Sequence, residues 1–261
     1  LKIKKYILSQ AQKNAKIFLN NDDPFLFPLK KYSSNIKTFG SDIKSNYSYK
    51  LIKLTEKKSL FNIFKGRKTL SSALTTYLLG EHNVQNLTAV LSIIDDLGYE
   101  IKKSDILNFK GIKRRMNVLG KLKKTTFIDD YAHHPSEIEK LINITSLYKK
   151  KYVILVIEPH RYSRLNDLYK EYLRVLKNIG NLIILKTYEA GESYKIGMKN
   201  SKNLVNDLNV LNKQKTKYVE NYKDLFNLLD QVVLNKSESI IISAGAGDIS
   251  NQIRFYYDSR K

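Results

Sequence analysis

The sequence predicts an α/β fold whose C-terminal domain is a Rossmann-like, mostly parallel sheet, because short β-branched runs alternate with helical periods after about residue 110. A second observation supports this: polar motifs fall where predicted strands end and helices begin, as in open α/β sheets. The expected strands lie near 125–129, 152–157, 181–186, 217–219 and 238–243, and the expected helices near 136–149, 165–178, 221–234 and 248–257.

The first hundred residues follow a different pattern. KIFLN at 16–20 and the alternating YSYKLIKL at 47–54 predict strands, and 83–97 predicts an amphipathic helix. We interpret them as a partial domain. The boundary is expected near 109–113, where LNFKGIKRR places a glycine between two patterned regions. The predicted domains are residues 1–110 and 111–261.

Composition limits the class of protein. With 261 residues and 42% apolar residues, the chain has enough material for a packed core. It has no cysteine, which excludes disulfides and thiolate chemistry and fits a reducing cytoplasm. No apolar run approaches the roughly 18 residues of a membrane span, and the opening LKIKKYILSQAQKN lacks a secretory signal. Since the chain starts at Leu1, we expect an upstream portion to be missing.

The formal net charge of +21 makes nucleic acid a candidate partner. The lysines are nevertheless scattered, in short clusters such as 121–124 and 149–151, without a single basic arm. A solvated surface of biased composition is therefore the simpler interpretation, and a nucleic-acid face is the alternative. A positive field would also attract nucleotides and phosphorylated sugars.

The motif GEHNVQN at 80–86 opens the predicted amphipathic helix. Asn83 and Asn86 are three residues apart and share a helix face. A carboxamide can both accept and donate a hydrogen bond at the edge of adenine, so the pair is suited to holding the base of ATP. Helix capping by His82 or Asn83 is the alternative.

The motif FIDDYAHHP at 127–135 is dense in chemistry. A strand ends in two carboxylates, passes two histidines and enters a helix near Pro135. A carboxylate at the end of a strand can hold ribose hydroxyls, and imidazoles can contact phosphate or orient a carboxylate. A metal site is the alternative, although adjacent His133 and His134 tend to point apart and no third ligand is spaced nearby.

The motif EPHRYSR at 158–164 follows another predicted strand. Arg161 and Arg164 stand beside His160 at a helix start. Guanidinium groups pair bidentately with carboxylates and phosphates, so this group could clamp an amino-acid carboxylate or an acyl phosphate. Surface salt bridges to Glu158 or Asp167 are the alternative.

Three further segments are less specific. SAGAGDIS at 243–250 is a glycine turn that fits close backbone approach or tight strand–helix packing. Arg114 and Arg115 at the predicted junction could reach a terminal phosphate or simply be exposed. GRKT at 66–69 lacks the earlier glycine of a phosphate-binding loop and is interpreted as a β-turn, and no GKT or GKS occurs in the chain.

These motifs, with NNDDP at 20–24 and TFG at 38–40, resemble the Mur ligase family in their order along the chain. The resemblance runs over nearly the whole chain, and DDYAHHP and PHRYSR are its most specific parts. It implies the end of a central P-loop ATPase domain, without the P-loop, followed by a complete Rossmann-like C-terminal domain. Within NNDDP, Asp22 and Asp23 are expected to shape a turn before Pro24.

The resemblance also implies roles for individual residues. The cofactor-binding residues would be His82, Asn83 and Asn86 at adenine and ribose, and Asp130 at the ribose. The catalytic residues would be Arg115 at the γ-phosphate, with His133, His160, Arg161 and Arg164 around the amino acid and the intermediate. Residues 82–86, 130–134 and 160–164 are expected to converge on a common cleft.

The implied reaction is ATP-dependent ligation of L-alanine to UDP-N-acetylmuramate through an acyl phosphate, in the cytoplasmic synthesis of peptidoglycan precursors. ATP and Mg²⁺ are the implied cofactors, and the metal ligands and P-loop lysine are expected upstream. The chain alone is therefore expected to be inactive. The alternatives are a muropeptide-recycling ligase of the same family and a non-catalytic basic module that binds nucleotides or RNA.

Overall fold

The computed structural model of the protein describes residues 6, 8–12, 14–33, 35–148, 152–212, 216–235 and 237–261. The chain forms two compact units, Leu1–Lys110 and Gly111–Lys261. Three predictions fall wholly or partly outside the described residues: those on the opening segment, on the end of helix 136–149 and on the lysines at 149–151. Within the described part of the chain, no helix is both long and apolar enough to cross a membrane.

The first unit contains a sheet in the order β1-β2-β3-β4-β5, in which β1 to β3 are parallel and β3 to β5 antiparallel. The expected strands at 16–20 and 47–54 are confirmed. For the other three strands no bounds were predicted, although the turn at GRKT implied a strand on each side of it. GRKT forms the expected turn between two of them, with Gly66 at φ 56°. The strands are β1 Ile17–Asn20, β2 Ile36–Gly40, β3 Tyr47–Leu54, β4 Ser59–Lys65 and β5 Lys68–Thr76.

Three helical segments accompany this sheet: a 3₁₀ helix Phe27–Tyr32, α1 Glu81–Asp96 and α2 Lys103–Asn108. The α1 helix confirms the amphipathic segment predicted at 83–97. Its buried Val84 and Leu91 pack with Phe61 and Ile63 of β4. Because apolar burial contributes about 1.5–3 kcal/mol per large side chain, this contact fixes α1 on the sheet.

The second unit contains a sheet in the order β10-β9-β8-β11-β7-β6, parallel except for the antiparallel pair β6–β7. The predicted α/β fold is confirmed, and so are the five strands expected there. Every residue of β11 is buried, as expected for a central parallel strand covered on both faces. The strands are β6 Asn117–Leu122, β7 Thr125–Asp130, β8 Tyr152–Ile157, β9 Leu182–Leu185, β10 Lys217–Val219 and β11 Ser239–Ala244.

The helices of this unit cover the sheet. The helix predicted at 165–178 is instead two helices separated by Leu168, which leaves helical geometry at φ −107° and ψ 20°. The Leu168 N–H still donates to the Arg164 carbonyl, and the Leu168 carbonyl accepts from the Tyr172 N–H, so the two helices follow one another directly. Helix 201–212 was not predicted. The helices are α3 Pro135–Thr145, α4 Tyr162–Asp167, α5 Tyr169–Leu176, α6 Ser201–Asn212, α7 Tyr222–Leu234 and α8 Ile249–Asp258.

Candidate active site

The candidate site of the second unit lies at the carboxyl edge of its sheet. Ala244, the last residue of β11, is in register with both Asp130 of β7 and Ile157 of β8. The segments that follow these three strands therefore emerge side by side. This edge of a parallel sheet, near the point where strand order reverses, is where open α/β folds bind ligands.

Two histidines from different segments meet at this edge. The rings of His133, after β7, and His160, after β8, face each other edge-on with centroids 5.8 Å apart. Tyr188, after β9, stacks on His160 at 5.5 Å with an interplanar angle of 14°. The Tyr172 hydroxyl of α5 donates to the His133 carbonyl. Four segments thus hold the imidazole pair.

The hydrogen bonds of the pair determine its tautomers. His133 Nδ1 lies 2.9 Å from the Tyr131 carbonyl, which can only accept, so Nδ1 carries a proton and the neutral tautomer of this ring has its lone pair on Nε2. Arg164 lies 3.3 Å from His160 Nδ1 and can only donate, so in His160 the proton is on Nε2. The site therefore offers one imidazole nitrogen that accepts a proton and one that donates a hydrogen bond.

Burial lowers the pKa of His160, and the positive charges of Arg164 and Arg161 with neighbouring His133 lower it further. His160 is therefore neutral at physiological pH. Burial would raise the pKa of the Glu137 carboxyl, but the N–H groups of His133 and His134 lower it below its usual range. Glu137 is thus an anion beside His133, 3.4 Å from its Nδ1.

The arginines of the motif at 158–164 occupy different environments. Arg161 precedes α4, and its side chain is half exposed and 4.0 Å from Glu192. Arg164 lies within α4 against His160. The observed carboxylate neighbour of Arg161 is Glu192, whereas Glu158 points inward and accepts hydrogen bonds from the Tyr222 hydroxyl and the Ile249 N–H. Arg161 therefore retains donors for an incoming anion.

The adjacent residues Arg114 and Arg115 make different contacts. Arg114 donates to the carbonyls of Gly245 and Gly247 at 2.8 and 3.3 Å, and its guanidinium lies 4.6 Å from the centre of the Tyr131 ring. It fastens the glycine turn to the site, contrary to the exposed-residue alternative. Arg115 is half exposed and 3.9 Å from Glu137. The predicted phosphate contact of Arg115 stays a prediction.

The two carboxylates that end β7 are buried. Asp130 accepts the N–H groups of Met116 at 2.7 Å and Ala132 at 2.8 Å, and burial raises its pKa against these two bonds. Asp129 is fully buried and accepts from Ser250 and Arg254. The observed role of both is to fix the loops and helix around the edge, and the predicted ribose contact of Asp130 stays a prediction.

The glycines of SAGAGDIS permit close packing. A Cβ on Gly245 would lie 2.8 Å from Ile249 and 3.1 Å from the Glu158 carbonyl, and one on Gly247 would overlap Glu158 and Tyr188. Burial raises the pKa of the Glu158 carboxyl in this packed region. The tight strand–helix packing interpretation is therefore confirmed.

The predicted adenine motif lies in the first unit, at the start of α1. The helix N-cap is Gly80 at φ 93°, so neither His82 nor Asn83 is the capping residue. Asn83 donates to the Leu79 carbonyl at 2.7 Å, and Asn86 is exposed on the same face. Convergence of residues 82–86 with the cluster of the second unit stays a prediction.

The two aspartates of NNDDP differ. Asp23 accepts from the N–H groups of Phe25 and Leu26, which confirms the predicted turn. Asp22 also lies in a turn before Pro24, and its carboxylate accepts from Ser41 after β2 and from Gln85 of α1 at 2.7 Å. It joins β2 to the helix that carries the adenine motif.

The structure brings together Arg115, Asp130, His133, His160, Arg161 and Arg164 of the predicted site residues. Sequence reasoning missed Tyr188, Glu192, Glu137 and Tyr172, which contact the cluster from other loops and helices. His134 is the N-cap of α3 although it is not one of the usual capping residues. Glu137, three residues later, completes a capping box with it, and this spacing could have identified Glu137 from the sequence.

Comparison with known proteins agrees with this architecture. The family model for the Mur ligase glutamate ligase domain matches residues 114–247, and the model for the Mur ligase middle domain matches residues 1–94. The chain belongs to the Mur ligase family. The resemblance inferred from the motifs is thereby confirmed.

One curated relative is the UDP-N-acetylmuramate–L-alanine ligase of Pelagibacter ubique, 36% identical over 227 residues. The match covers 84% of this chain and 48% of the relative, so the chain spans about half of its length. Among solved structures, the UDP-N-acetylmuramate-alanine ligase of Thermotoga maritima has a TM-score of 0.77 at 21% identity, covering 98% of this chain and 55% of that chain. A MurF ligase from Thermotoga maritima, solved in complex with ADP, has a TM-score of 0.72 at 15% identity, covering 99% of this chain and 56% of that chain.

Proposed function

We propose that this chain supplies the adenine edge and the amino-acid site of a ligase that uses ATP to join L-alanine to UDP-N-acetylmuramate. The observation that carries the proposal is the His133–His160 pair beside the half-exposed Arg161 at the carboxyl edge of the second sheet. Residues 1–110 are then the C-terminal half of the central ATP-binding domain, and residues 111–261 are the C-terminal domain.

In this proposal Arg161 pairs with the carboxylate of L-alanine, because a guanidinium can present two parallel donors to it. The His160 Nε2–H adds a neutral donor next to it. His133 Nε2 takes a proton from the amine in this proposal. A neutral imidazole suits both roles, since the substrate brings its own charges.

The reaction activates the muramyl carboxylate by transfer of the γ-phosphoryl group of ATP, which gives an acyl phosphate and ADP. The alanine nitrogen then attacks the acyl carbon, the C–N bond forms, the C–O bond to phosphate breaks and inorganic phosphate leaves. In this proposal Arg115, which is half exposed at the same edge, offsets charge on the phosphoryl group. Loss of one such donor costs about 3 kcal/mol of barrier.

Adenine nucleotide binding is proposed for the start of α1. The exposed Asn86 carboxamide fits the donor and acceptor edge of adenine, and Asn83 shares its face.

The proposed reaction also uses Mg²⁺. Among the described residues, no group of three acidic, histidine or cysteine side chains is close enough to hold a metal ion, and no residue of this chain is assigned to Mg²⁺.

The amino-acid site is tested with the purified, isotope-labelled chain. Titration with L-alanine is expected to shift the resonances of His133, His160 and Arg161. Arg161→Met is expected to abolish this response, whereas Arg174→Met, at a surface pair with Glu139, is expected to preserve it. A wild-type chain that does not respond, or an Arg161 variant that responds normally, would count against the proposal.

Two further measurements separate the alternatives. RNA binding that falls steeply with salt and survives Arg161→Met would favour the basic nucleic-acid module. A response to an L-alanyl peptide but not to free L-alanine would favour the recycling ligase. Reading the gene upstream of the Leu1 codon for a Gly-Thr-His-Gly-Lys-Thr segment would locate the expected P-loop, and the chain without it is expected to show no alanine-dependent release of phosphate.

A further inference from the structure

The backbone at Arg161 is strained. Its φ is 70° and its ψ is 134°, a region that residues with a Cβ rarely adopt. Such a conformation costs on the order of 1–3 kcal/mol and persists only where the surroundings hold it. Arg161 is the N-cap residue of α4, so its backbone conformation sets the direction in which its side chain leaves the start of the helix.

Part of the restraint comes from the strand-like pairing with Tyr188. The Arg161 N–H donates to the Tyr188 carbonyl at 2.8 Å, and the Tyr188 N–H donates to the Pro159 carbonyl at 2.8 Å. These two bonds hold the incoming side of the turn. On the outgoing side, the Arg161 carbonyl accepts from the Leu165 N–H at 3.1 Å, but the Ser163 N–H in the first turn of α4 needs an acceptor from outside the helix.

Glu192 supplies that acceptor and so adds a restraint on the outgoing side. Its two carboxylate oxygens accept the Ser163 N–H at 3.0 Å and the Ser163 hydroxyl at 2.6 Å. The first N–H groups of a helix have no partner within the helix, so an external acceptor stabilises its start. Arg161 itself gives no side-chain cap to α4. A residue from the loop after β9 therefore does the capping.

The same carboxylate faces the Arg161 guanidinium, but loosely. The separation is 4.0 Å, and the arginine side chain is 50% exposed. An exposed pair at this distance contributes little to stability. The Ser163 bonds lower the pKa of Glu192, which is thus an anion at neutral pH. It fixes the turn without occupying the donors of Arg161.

We propose that Glu192 is a positioning residue for the carboxylate-binding group formed by Arg161 and His160. The inference rests on the proposed function, because the ligand is the carboxylate of an amino-acid substrate. Glu192 has two opposite effects on the binding of that carboxylate. Its hydrogen bonds hold the turn that presents Arg161, and its charge competes weakly with the incoming carboxylate.

Two substitutions separate these effects. Glu192→Gln removes the charge but keeps an oxygen acceptor for Ser163, so L-alanine is expected to bind as tightly as in the wild type or a few-fold more tightly. Glu192→Ala removes the charge and both hydrogen bonds, so the turn relaxes and binding is expected to weaken about tenfold. A purely electrostatic role would instead strengthen binding in both variants.

Glu189 provides the matched control. It lies three residues earlier on the same loop, is 57% exposed, and contacts Lys186 at 3.8 Å and the Tyr162 hydroxyl at 3.5 Å. Glu189→Ala removes a similar charge from the loop without touching Ser163. Its affinity for L-alanine is expected to equal that of the wild type.

The experiment is a titration of the labelled chain and its variants with L-alanine, with the backbone couplings of Arg161 measured in the same samples. The HN–Hα and Cα–Hα couplings report the sign of φ without any ligand. We expect a positive φ in the wild type, Glu192→Gln and Glu189→Ala, and a shift to negative φ in Glu192→Ala. Couplings unchanged in Glu192→Ala, or binding as tight as in Glu192→Gln, would overturn the inference. If the wild type does not respond to L-alanine, the proposed amino-acid site fails, and the couplings alone decide the role of Glu192.

Discussion

His133 and His160 lie edge-on with ring centroids 5.8 Å apart, and their hydrogen bonds place their protons on opposite ring nitrogens. Tyr131 accepts from one imidazole and Arg164 donates to the other. In these tautomers the pair can accept a proton at one nitrogen and donate a hydrogen bond from another. That combination suits an amine nucleophile that carries its own carboxylate.

The first prediction concerns the protonation of His160. Burial lowers the pKa of this imidazole first and the Arg164 charge second, so Arg164→Met is expected to raise the pKa of His160 toward its ordinary value. Titration of the His160 ring resonances measures this. Arg174→Met, outside the cluster, serves as the control. A His160 pKa that does not move in Arg164→Met would contradict the assigned tautomer and contact.

The second prediction concerns Glu158 and pH. Burial raises the pKa of this carboxyl above its unfolded value, so the folded state holds the proton at pH values where the unfolded state has lost it. The stability contribution is present at low pH and is lost as pH rises through the folded pKa.

Glu158→Gln removes that loss, since the amide can accept from the Ile249 N–H and donate to the Tyr222 hydroxyl oxygen. We expect the variant to gain about 1 kcal/mol over the wild type at pH 8 and to show little gain at pH 4. Urea unfolding at both pH values measures this difference. The pKa of Asp130 is also raised, but Asp130 is present in both proteins, so its contribution to the pH dependence cancels in the difference. A gain that is equal at the two pH values would disprove the assignment.

The third prediction compares two ion pairs. Arg254 lies 2.8 Å from the fully buried Asp129, whereas Arg260 pairs with the partly exposed Asp230. Removing the partner of a buried charge costs about 3–5 kcal/mol, and breaking an exposed pair costs about 1 kcal/mol or less. Arg254→Met is therefore expected to destabilise the protein far more than Arg260→Met in denaturant unfolding. Adding Asp129→Asn to Arg254→Met should restore part of the loss, and equal losses for the two arginines would refute the distinction.

The fourth prediction concerns two tyrosines on α5. The Tyr172 hydroxyl donates to the His133 carbonyl, and the Tyr169 hydroxyl donates to Asp207 at 2.7 Å. Tyr172→Phe and Tyr169→Phe are each expected to cost about 1 kcal/mol. Only Tyr172→Phe should shift the His133 resonances, because only that hydroxyl contacts its backbone. Movement of His133 in Tyr169→Phe alone would show that the contact was assigned wrongly.

Strands and helices with a strong local pattern were predicted correctly, and those with a weak pattern were not. The strand at 47–54 and the C-terminal strands were predictable because β-branched runs and alternation are local signals. The strand β2 was missed, and β4 and β5 were expected only as unbounded neighbours of the GRKT turn, because polar residues interrupt their apolar positions. The break at Leu168 was also missed, since both halves continue one apolar face.

The candidate site shows the same division. His133, His160, Arg161 and Arg164 were predictable because their chemistry is concentrated at strand ends. Glu192 and Tyr188 were not, because each is an ordinary polar residue in a loop. Their importance comes from contacts with Ser163 and His160, across gaps that no sequence period spans.

By itself the sequence determined the α/β class, the order of the motifs and the Mur ligase family, because hydrophobic periods and dense polar motifs are properties of neighbouring residues. Only the tertiary structure decided the tautomers of the two histidines, the inward turn of Asp130 and Glu158, and the support of Arg161 by Glu192. The physical reason is that hydrogen bonding and burial depend on which strand ends lie side by side. The register of β7, β8 and β11 sets that arrangement across more than a hundred residues of chain.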